Sequence, residues 1–215
     1  RAAAAATATW RNNARVAVVE GAGAALYHAL SGRQTAAVRL PKHDVTAVCW
    51  APLSRSLLLS AVHVKSADGK VVAWQTFDDD KTDTSNNDDG LYYDCVDDGT
   101  DTRLHTLLET TGGHFIDMRM APYSVMANEQ YVLLLQNDFT VLLARSSWTE
   151  SSGESLQLLG ALDAFSQAPH RRQPRLAWTA LLVAVVCEGD AAAVFDVLRR
   201  TCRSGSPSEA RTMAA

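Results

Sequence analysis

The sequence predicts an all-β fold, and three features of its pattern support this prediction. Apolar residues form short runs of strand length, rich in β-branched and aromatic residues, such as RVAVVE, SLLLSAV and LLVAVVCE. Turn-forming residues lie between many of these runs, as in Ala-Asp-Gly at 67–69, Asn-Asp at 137–138 and Gly-Asp at 189–190. No long apolar stripe repeats with the spacing of a helix. We therefore expect a meander of antiparallel strands.

Composition narrows the class of protein. The 215 residues are 47% apolar, which is enough to form a sizeable core. The formal net charge of -4 provides no basic field for nucleic acid or anionic lipid, and no apolar run approaches the roughly 20 residues that cross a bilayer. The four cysteines are scattered and include no C-x-x-C pair, so we expect reduced thiols in an intracellular protein. Because the first residue is Arg1, we expect a portion of a longer chain.

The stretch RVAVVEGAGAALYHALSG, residues 15–32, allows two interpretations. It is either the strand, loop and helix of a dinucleotide-binding oxidoreductase, or a hairpin in which Gly21 and Gly23 provide the turn. The nucleotide fingerprint requires Gly or Ala where Leu26 stands, and an acidic residue at the end of the second strand. That strand ends in Arg-Leu-Pro at 39–41 instead. The hairpin is favoured, and the oxidoreductase is kept as the alternative.

Residues 42–77, KHDVTAVCWAPLSRSLLLSAVHVKSADGKVVAWQTF, carry a more specific pattern. A His precedes a strand ending in Trp-Ala-Pro, a second strand ends near a Ser, and Asp-Gly leads into a third strand that closes on Trp. This stretch resembles a WD repeat, with Gln75 in place of the usual Asp after the Trp. The resemblance implies a structural tetrad in which four side chains satisfy one another's hydrogen bonds. Its members would be His43, Ser60, Asp68 and Trp74.

Three weaker units flank this repeat. They place Tyr27, Ala144 and Phe195 at the position of the repeat's last Trp. The resemblance therefore implies a WD40-like β-propeller portion over residues 1–200, with about four degenerate blades of a larger ring. The polar, Ser-rich segment 201–215 is expected to be a disordered tail or a linker.

One acidic, turn-rich stretch interrupts the pattern at residues 78–101. Its spacing does not fit an EF-hand, because a calcium loop with Gly90 as its sixth residue would require Glu at position twelve, where Val96 stands. We expect an exposed loop insertion that docks a basic partner surface, with a short basic loop at 170–175 as a second contact. The candidate partner-binding residues are Asp78, Asp79, Asp80, Tyr92, Tyr93, Arg171 and Arg172.

Patterns of catalytic chemistry are missing from the sequence. The six histidines form no metal-binding grouping, and no G-x-S-x-G elbow occurs. We therefore expect no catalytic residue, metal, cofactor or small-molecule substrate. The resemblance implies a non-catalytic scaffold that binds other protein subunits of a multi-subunit intracellular complex. The layout is similar to the amino-terminal propellers of intraflagellar-transport and trafficking subunits, which implies a cytoplasmic or ciliary location.

Overall fold

The computed structural model describes residues 8–10, 15–51, 56–76, 93–96, 103–126, 129–138, 140–149, 153–162, 175–180, 183–188, 191–196 and 201–205. Within these ranges the protein consists of strands and turns, and no helix is present, hence none long and apolar enough to cross a membrane. The predicted all-β class is confirmed.

Seventeen strands are described. In chain order they are β1 (Ala8–Trp10), β2 (Arg15–Glu20), β3 (Gly23–His28), β4 (Gln34–Arg39), β5 (His43–Ala51), β6 (Ser56–His63), β7 (Gly69–Gln75), β8 (Tyr93–Val96), β9 (Leu104–Thr110), β10 (Phe115–Met126), β11 (Glu129–Gln136), β12 (Val141–Thr149), β13 (Gly153–Leu162), β14 (Arg175–Ala180), β15 (Val183–Glu188), β16 (Ala191–Asp196) and β17 (Thr201–Gly205).

The strands form four sheets, and each contains a four-stranded antiparallel meander. Sheet 1 runs β1-β2-β3-β4, sheet 2 runs β5-β6-β7-β9, sheet 3 runs β10 to β13, and sheet 4 runs β14 to β17. Sheet 1 differs from the others because β8 joins its edge in parallel with β4. The strands described here form no closed ring.

The GAG segment is a hairpin turn, as predicted. Glu20 pairs with Gly23 across a turn formed by Gly21 and Ala22, and the positive φ of 57° at Gly21 is one that glycine adopts readily. The chain after this turn is strand β3, where a dinucleotide site requires a helix. Residues 15–32 therefore do not form the strand, loop and helix that the dinucleotide-binding interpretation requires.

Two boundaries differ from those expected from the sequence. Strand β8 lies inside the insertion expected as an exposed loop, and it pairs with β4. Strand β17 lies in the segment expected as a tail, and it pairs with β16 as the fourth strand of sheet 4. Both strands join a sheet at its edge, where pairing uses backbone groups and requires little apolar sequence.

Consecutive sheets pack face to face around sheet 2. Leu57 and Leu59 of β6 join the apolar cluster shared with sheet 1, whereas Leu58 joins the cluster that contains Phe115 and Met118 of sheet 3. Side chains alternate between the two faces of a strand, so a strand with both faces covered is apolar throughout. The first strands of successive sheets also contact one another, β1 with β5, β5 with β10 and β10 with β14.

Candidate functional site

An open cleft lies at one end of sheet 2 and has a volume of about 330 Å³. Its lining combines imidazole, carboxylate, ammonium and hydroxyl groups. The β6–β7 turn forms one side of the cleft, and the end of β9 forms the other. The lining residues are His43, His63, Ser66, Asp68, Gly69, Lys70, Glu109, Thr110 and Thr111.

The two imidazoles in this cleft face each other across β5 and β6. His43 and His63 are register partners, and their rings meet edge to face with centroids 5.2 Å apart and planes at 77°. The Nδ1 atom of His43 donates to the carbonyl oxygen of Pro41 at 2.9 Å. Lys42, which lies between Pro41 and His43 in the sequence, has a φ of 66°, a conformation that costs a non-glycine residue about 1–2 kcal/mol. The His43 ring thus helps to hold a strained turn.

His63 closes the turn that follows β6. Its Nδ1 accepts from the backbone N–H groups of Ser66 at 3.2 Å and Lys65 at 3.4 Å, so the neutral ring carries its proton on Nε2. The hydroxyl oxygen of Ser66 is 3.1 Å from the same Nδ1. His28 and Ser31 repeat this arrangement after β3, at 3.0 Å between the side chains. The shared H-x-x-S spacing therefore closes turns.

The neighbouring carboxylate does not convert this turn into a nucleophilic site. The Ser66 side chain hydrogen-bonds the carboxylate of Asp68 and, as the largest cause, lowers the pKa of Asp68. In a catalytic triad the carboxylate instead binds the imidazole, on the nitrogen opposite the serine. Here it lies on the serine side, while backbone N–H groups occupy the Nδ1 of His63. The geometry stabilises a turn and does not activate Ser66.

Asp68 also connects sheet 2 to the chain that enters sheet 3. Its Oδ1 accepts the backbone N–H of Gly112 at 2.8 Å, and this bond is the second cause that lowers the pKa of its carboxyl. Gly112 lies between β9 and β10. The carboxylate therefore fixes the β6–β7 turn against the start of the next sheet.

His114 forms a second connection at the same place. Its imidazole hydrogen-bonds the backbone of Ala67, while its own backbone N–H donates to Oδ1 of Asn137 at 3.1 Å. Burial lowers the pKa of His114, and its buried Nδ1 makes no hydrogen bond. A Cβ added at Gly69 would lie 2.7 Å from the Cα of His114 and 2.8 Å from the carbonyl oxygen of Gly113. The contact is close enough to require glycine.

Ser60 and Trp74 lie in the interior, away from the cleft. The buried Ser60 hydroxyl donates to the carbonyl oxygen of Phe115 at 2.9 Å, and the Thr46 hydroxyl reaches the same oxygen. Trp74 is 2% exposed and belongs to the apolar cluster between sheets 1 and 2, together with Leu57.

The predicted tetrad residues thus occupy one sheet but have different partners. Ser60 and Asp68 do not bond to each other, because each binds the chain that leads into sheet 3, at Phe115 and Gly112. Trp74 packs among apolar side chains. Ser60 and Asp68 therefore act as ties between sheets, and the closed tetrad that the resemblance implies stays a prediction.

A further tie, between sheets 3 and 4, was missed by the sequence analysis. Asp117 of β10 is 1% exposed, and its Oδ2 accepts the backbone N–H of Leu176 in β14 at 3.2 Å. Its Oδ1 accepts from the N–H of Met118 at 2.9 Å and lies 3.4 Å from Nε of Arg119. The available signal was a single Asp in the apolar run HFIDMRM. Burial, with Asp117 adding to it, raises the pKa of the nearby Cys49 to about 12, so this thiol stays protonated.

The predicted partner-binding residues fall largely outside the described ranges. Asp78, Asp79, Asp80, Tyr92, Arg171 and Arg172 are all outside them. Tyr93 is the first residue of β8, and its backbone pairs with Ala36 of β4. Partner binding by these residues stays a prediction.

Comparison with known proteins gives no family assignment. No family model matches this chain, and no curated protein matches it. Among the described residues, no group of three or more His, Cys, Asp or Glu side chains is placed to hold a metal ion.

Proposed function

We propose that this chain is a WD-type β-propeller portion that acts as a non-catalytic scaffold for other protein subunits of an intracellular assembly. The observation that carries the proposal is the order of the sheets. Four antiparallel meanders follow one another along the chain, and their first strands lie side by side. Radial repetition of four-stranded sheets is the architecture of propellers, which commonly present loops and edges to protein partners.

Ties between successive sheets support a rigid scaffold. The N–H of Val45 donates to the carbonyl oxygen of Gly21 at 2.8 Å between sheets 1 and 2. Ser60 binds the first residue of sheet 3, and Asp117 binds the backbone of sheet 4. Each tie satisfies the hydrogen bond of a buried polar group at only one relative position of the two sheets. Any other position would leave that group unpaired, at a cost of about 1–3 kcal/mol. The sheets are thereby held in a fixed relation to one another.

The cleft supports binding in preference to catalysis. The polar groups of His63, Ser66 and Asp68 are engaged in closing the turn and holding the next sheet. Lys70 and Glu109 add one charge of each sign to the rim. A surface of this kind suits polar contacts with another protein.

Intraflagellar transport or vesicle trafficking is the pathway proposed for this scaffold, with a cytoplasmic or ciliary location. Its support is the resemblance in layout, namely degenerate repeats and the long insertion after the second unit. The insertion and the basic loop at 170–175 are the most individual parts of the sequence, so we place partner recognition there.

Affinity purification of the tagged, full-length natural protein, followed by cross-linking and mass spectrometry, tests this proposal. We expect stoichiometric protein partners with cross-links at Lys42 or Lys81. Arg171→Glu with Arg172→Glu should release partners, whereas Asp44→Asn, at an exposed residue of β5, should not. Recovery of the protein alone, from native cells and with cross-linker present, would overturn the scaffold assignment.

A further inference from the structure

Sheet 1 carries a feature that the other three sheets lack. Sheets 2, 3 and 4 end on their fourth strands, β9, β13 and β17, within the described residues. In sheet 1 the fourth strand β4 is covered by β8, a four-residue strand that comes from between β7 and β9 of sheet 2. The edge of β4 therefore accepts an added strand, and the chain supplies one from a distant part of its own sequence.

The pairing of this added strand is short and parallel. Residues 36–39 pair in register with 93–96, from Ala36 opposite Tyr93 to Arg39 opposite Val96. Parallel pairs are slightly less stable per residue than antiparallel pairs, and few hydrogen bonds offset the entropy lost by ordering the segment. In the sequence, 17 residues separate β7 from β8 and seven separate β8 from β9. The contact is one that a competing strand can displace.

Charge favours an acidic occupant of this edge. Arg33 immediately precedes β4 and Arg39 ends it, and both side chains are exposed. The sequence that supplies β8 is GLYYDCVDDG at 90–99, which contains three aspartates and no basic residue. Opposite net charge on the β4 edge and on an added segment favours one class of partner.

We infer that the edge of β4 is a strand-addition site for an acidic, extended peptide segment of a partner protein, and that β8 is its internal competitor. Main-chain hydrogen bonds supply affinity in such sites, and flanking charge supplies selectivity. A segment tethered in the same chain acts at an effective concentration near the millimolar range. It therefore excludes a partner segment from the edge of β4 unless that partner binds tightly or also contacts the protein at a second site. This inference rests on the proposed interaction role and names the partner chemistry for one surface.

Proline substitution in β8 releases the competitor. The N–H groups of adjacent residues in a strand point to opposite sides, so one of the two N–H groups of residues 94 and 95 faces β4. The double variant Asp94→Pro, Cys95→Pro removes this N–H group whichever residue carries it. Asp88→Pro with Asp89→Pro is the matched control, because it places two prolines in the same acidic stretch outside β8. The probe is a fluorescein-labelled peptide with the sequence of residues 90–99, in which Ser replaces Cys95.

Fluorescence anisotropy with the full chain is expected to show binding about tenfold tighter to the β8 variant than to the native protein or the control. Hydrogen exchange should show that residues 34–39 lose protection in the β8 variant and regain it with peptide, while β6 stays protected as evidence of folding. A peptide with Lys in place of each Asp should bind at least about tenfold more weakly. Equal binding to native protein and variant, no binding to a folded variant, or equal binding of the Lys peptide would overturn the inference. Partner capture by the natural protein is measured separately, so the scaffold proposal can stand when this one fails.

Discussion

Replacing Gly23 by alanine should destabilise the protein more than the same change at Gly21. Gly23 is the first residue of β3, and a Cβ built there would overlap the carbonyl oxygen of Val38 and lie 3.1 Å from its carbonyl carbon. Both clashing atoms belong to the backbone of β4, so no side-chain rotation relieves the contact. The strands must separate by about 1 Å, which takes neighbouring hydrogen bonds beyond their normal length.

The size of this effect follows from two contributions. Overpacking a close contact costs about 1–3 kcal/mol, and each backbone hydrogen bond lost adds about 1 kcal/mol. With one or two bonds lost, Gly23→Ala should lower the free energy of unfolding by about 2–5 kcal/mol. At Gly21 a Cβ would meet nothing within 4 Å, and the positive φ alone should make Gly21→Ala cost about 1–2 kcal/mol.

Urea unfolding, followed by tryptophan fluorescence and far-UV circular dichroism at matched protein concentration, measures both variants. We expect the midpoint to fall in the order native, Gly21→Ala, Gly23→Ala, with unchanged slopes. A Gly23→Ala protein as stable as Gly21→Ala would refute the packing of β3 against β4 on which the calculation depends.

Three further changes test the interior and the cleft. Trp74→Ala should lower the free energy of unfolding by about 3–5 kcal/mol in chemical denaturation, and Trp74→Phe by clearly less, because the site is apolar. Equal losses would mean that the indole N–H contributes more than the volume of the ring. Asp68→Asn should be less stable than the native protein near pH 7, and this difference in stability should vanish in acid. The folded-state pKa of Asp68 lies below its ordinary 3.8, so the stability that its charge contributes is lost as pH falls through that range. A difference that persists in acid would contradict the role of the charge. The native protein should lose thermal stability as pH falls below 6.5, because burial lowers the pKa of the folded imidazole and the unfolded chain therefore binds a proton at higher pH. His114→Gln should reduce this loss, and an unchanged pH profile would contradict the prediction.

The first three strands of each sheet were predictable, and the fourth strands were not. All six residues at 56–61 of β6 are buried, and the run Leu57–Leu59 at its centre makes the strand easy to recognise. In β9 none of the seven residues is buried, and in β13 only Glu154 is buried among the described side chains. A strand at the outer edge of a sheet is held by backbone pairing and faces water, so its sequence carries little apolar signal. Strands β8 and β17, expected as loop and tail, also lie at the edges of their sheets and are joined by backbone pairing.

The site was predictable at the level of residues but not of partners. The WD resemblance selected Ser60 and Asp68 as polar groups with structural roles, and both do make hydrogen bonds that hold the structure. Their partners belong to the chain that enters sheet 3, and only the three-dimensional arrangement of two sheets brings these groups together. Asp117 was missed for the same reason, since its partner in β14 lies 59 residues away in sequence.

The parallel pairing of β4 with β8 has a consequence for synthesis on the ribosome. Every meander pairs segments that emerge from the ribosome one after another, so each sheet can form locally as the chain is extended. In contrast, Ala36 of β4 can pair with Tyr93 only after about 57 further residues have been made. In the interval β1 to β7 have been made, and the outer edge of β4 has no strand beside it. A subunit that assembles during translation would meet this edge before the chain's own competitor is made, and the order of synthesis would then give the partner first access.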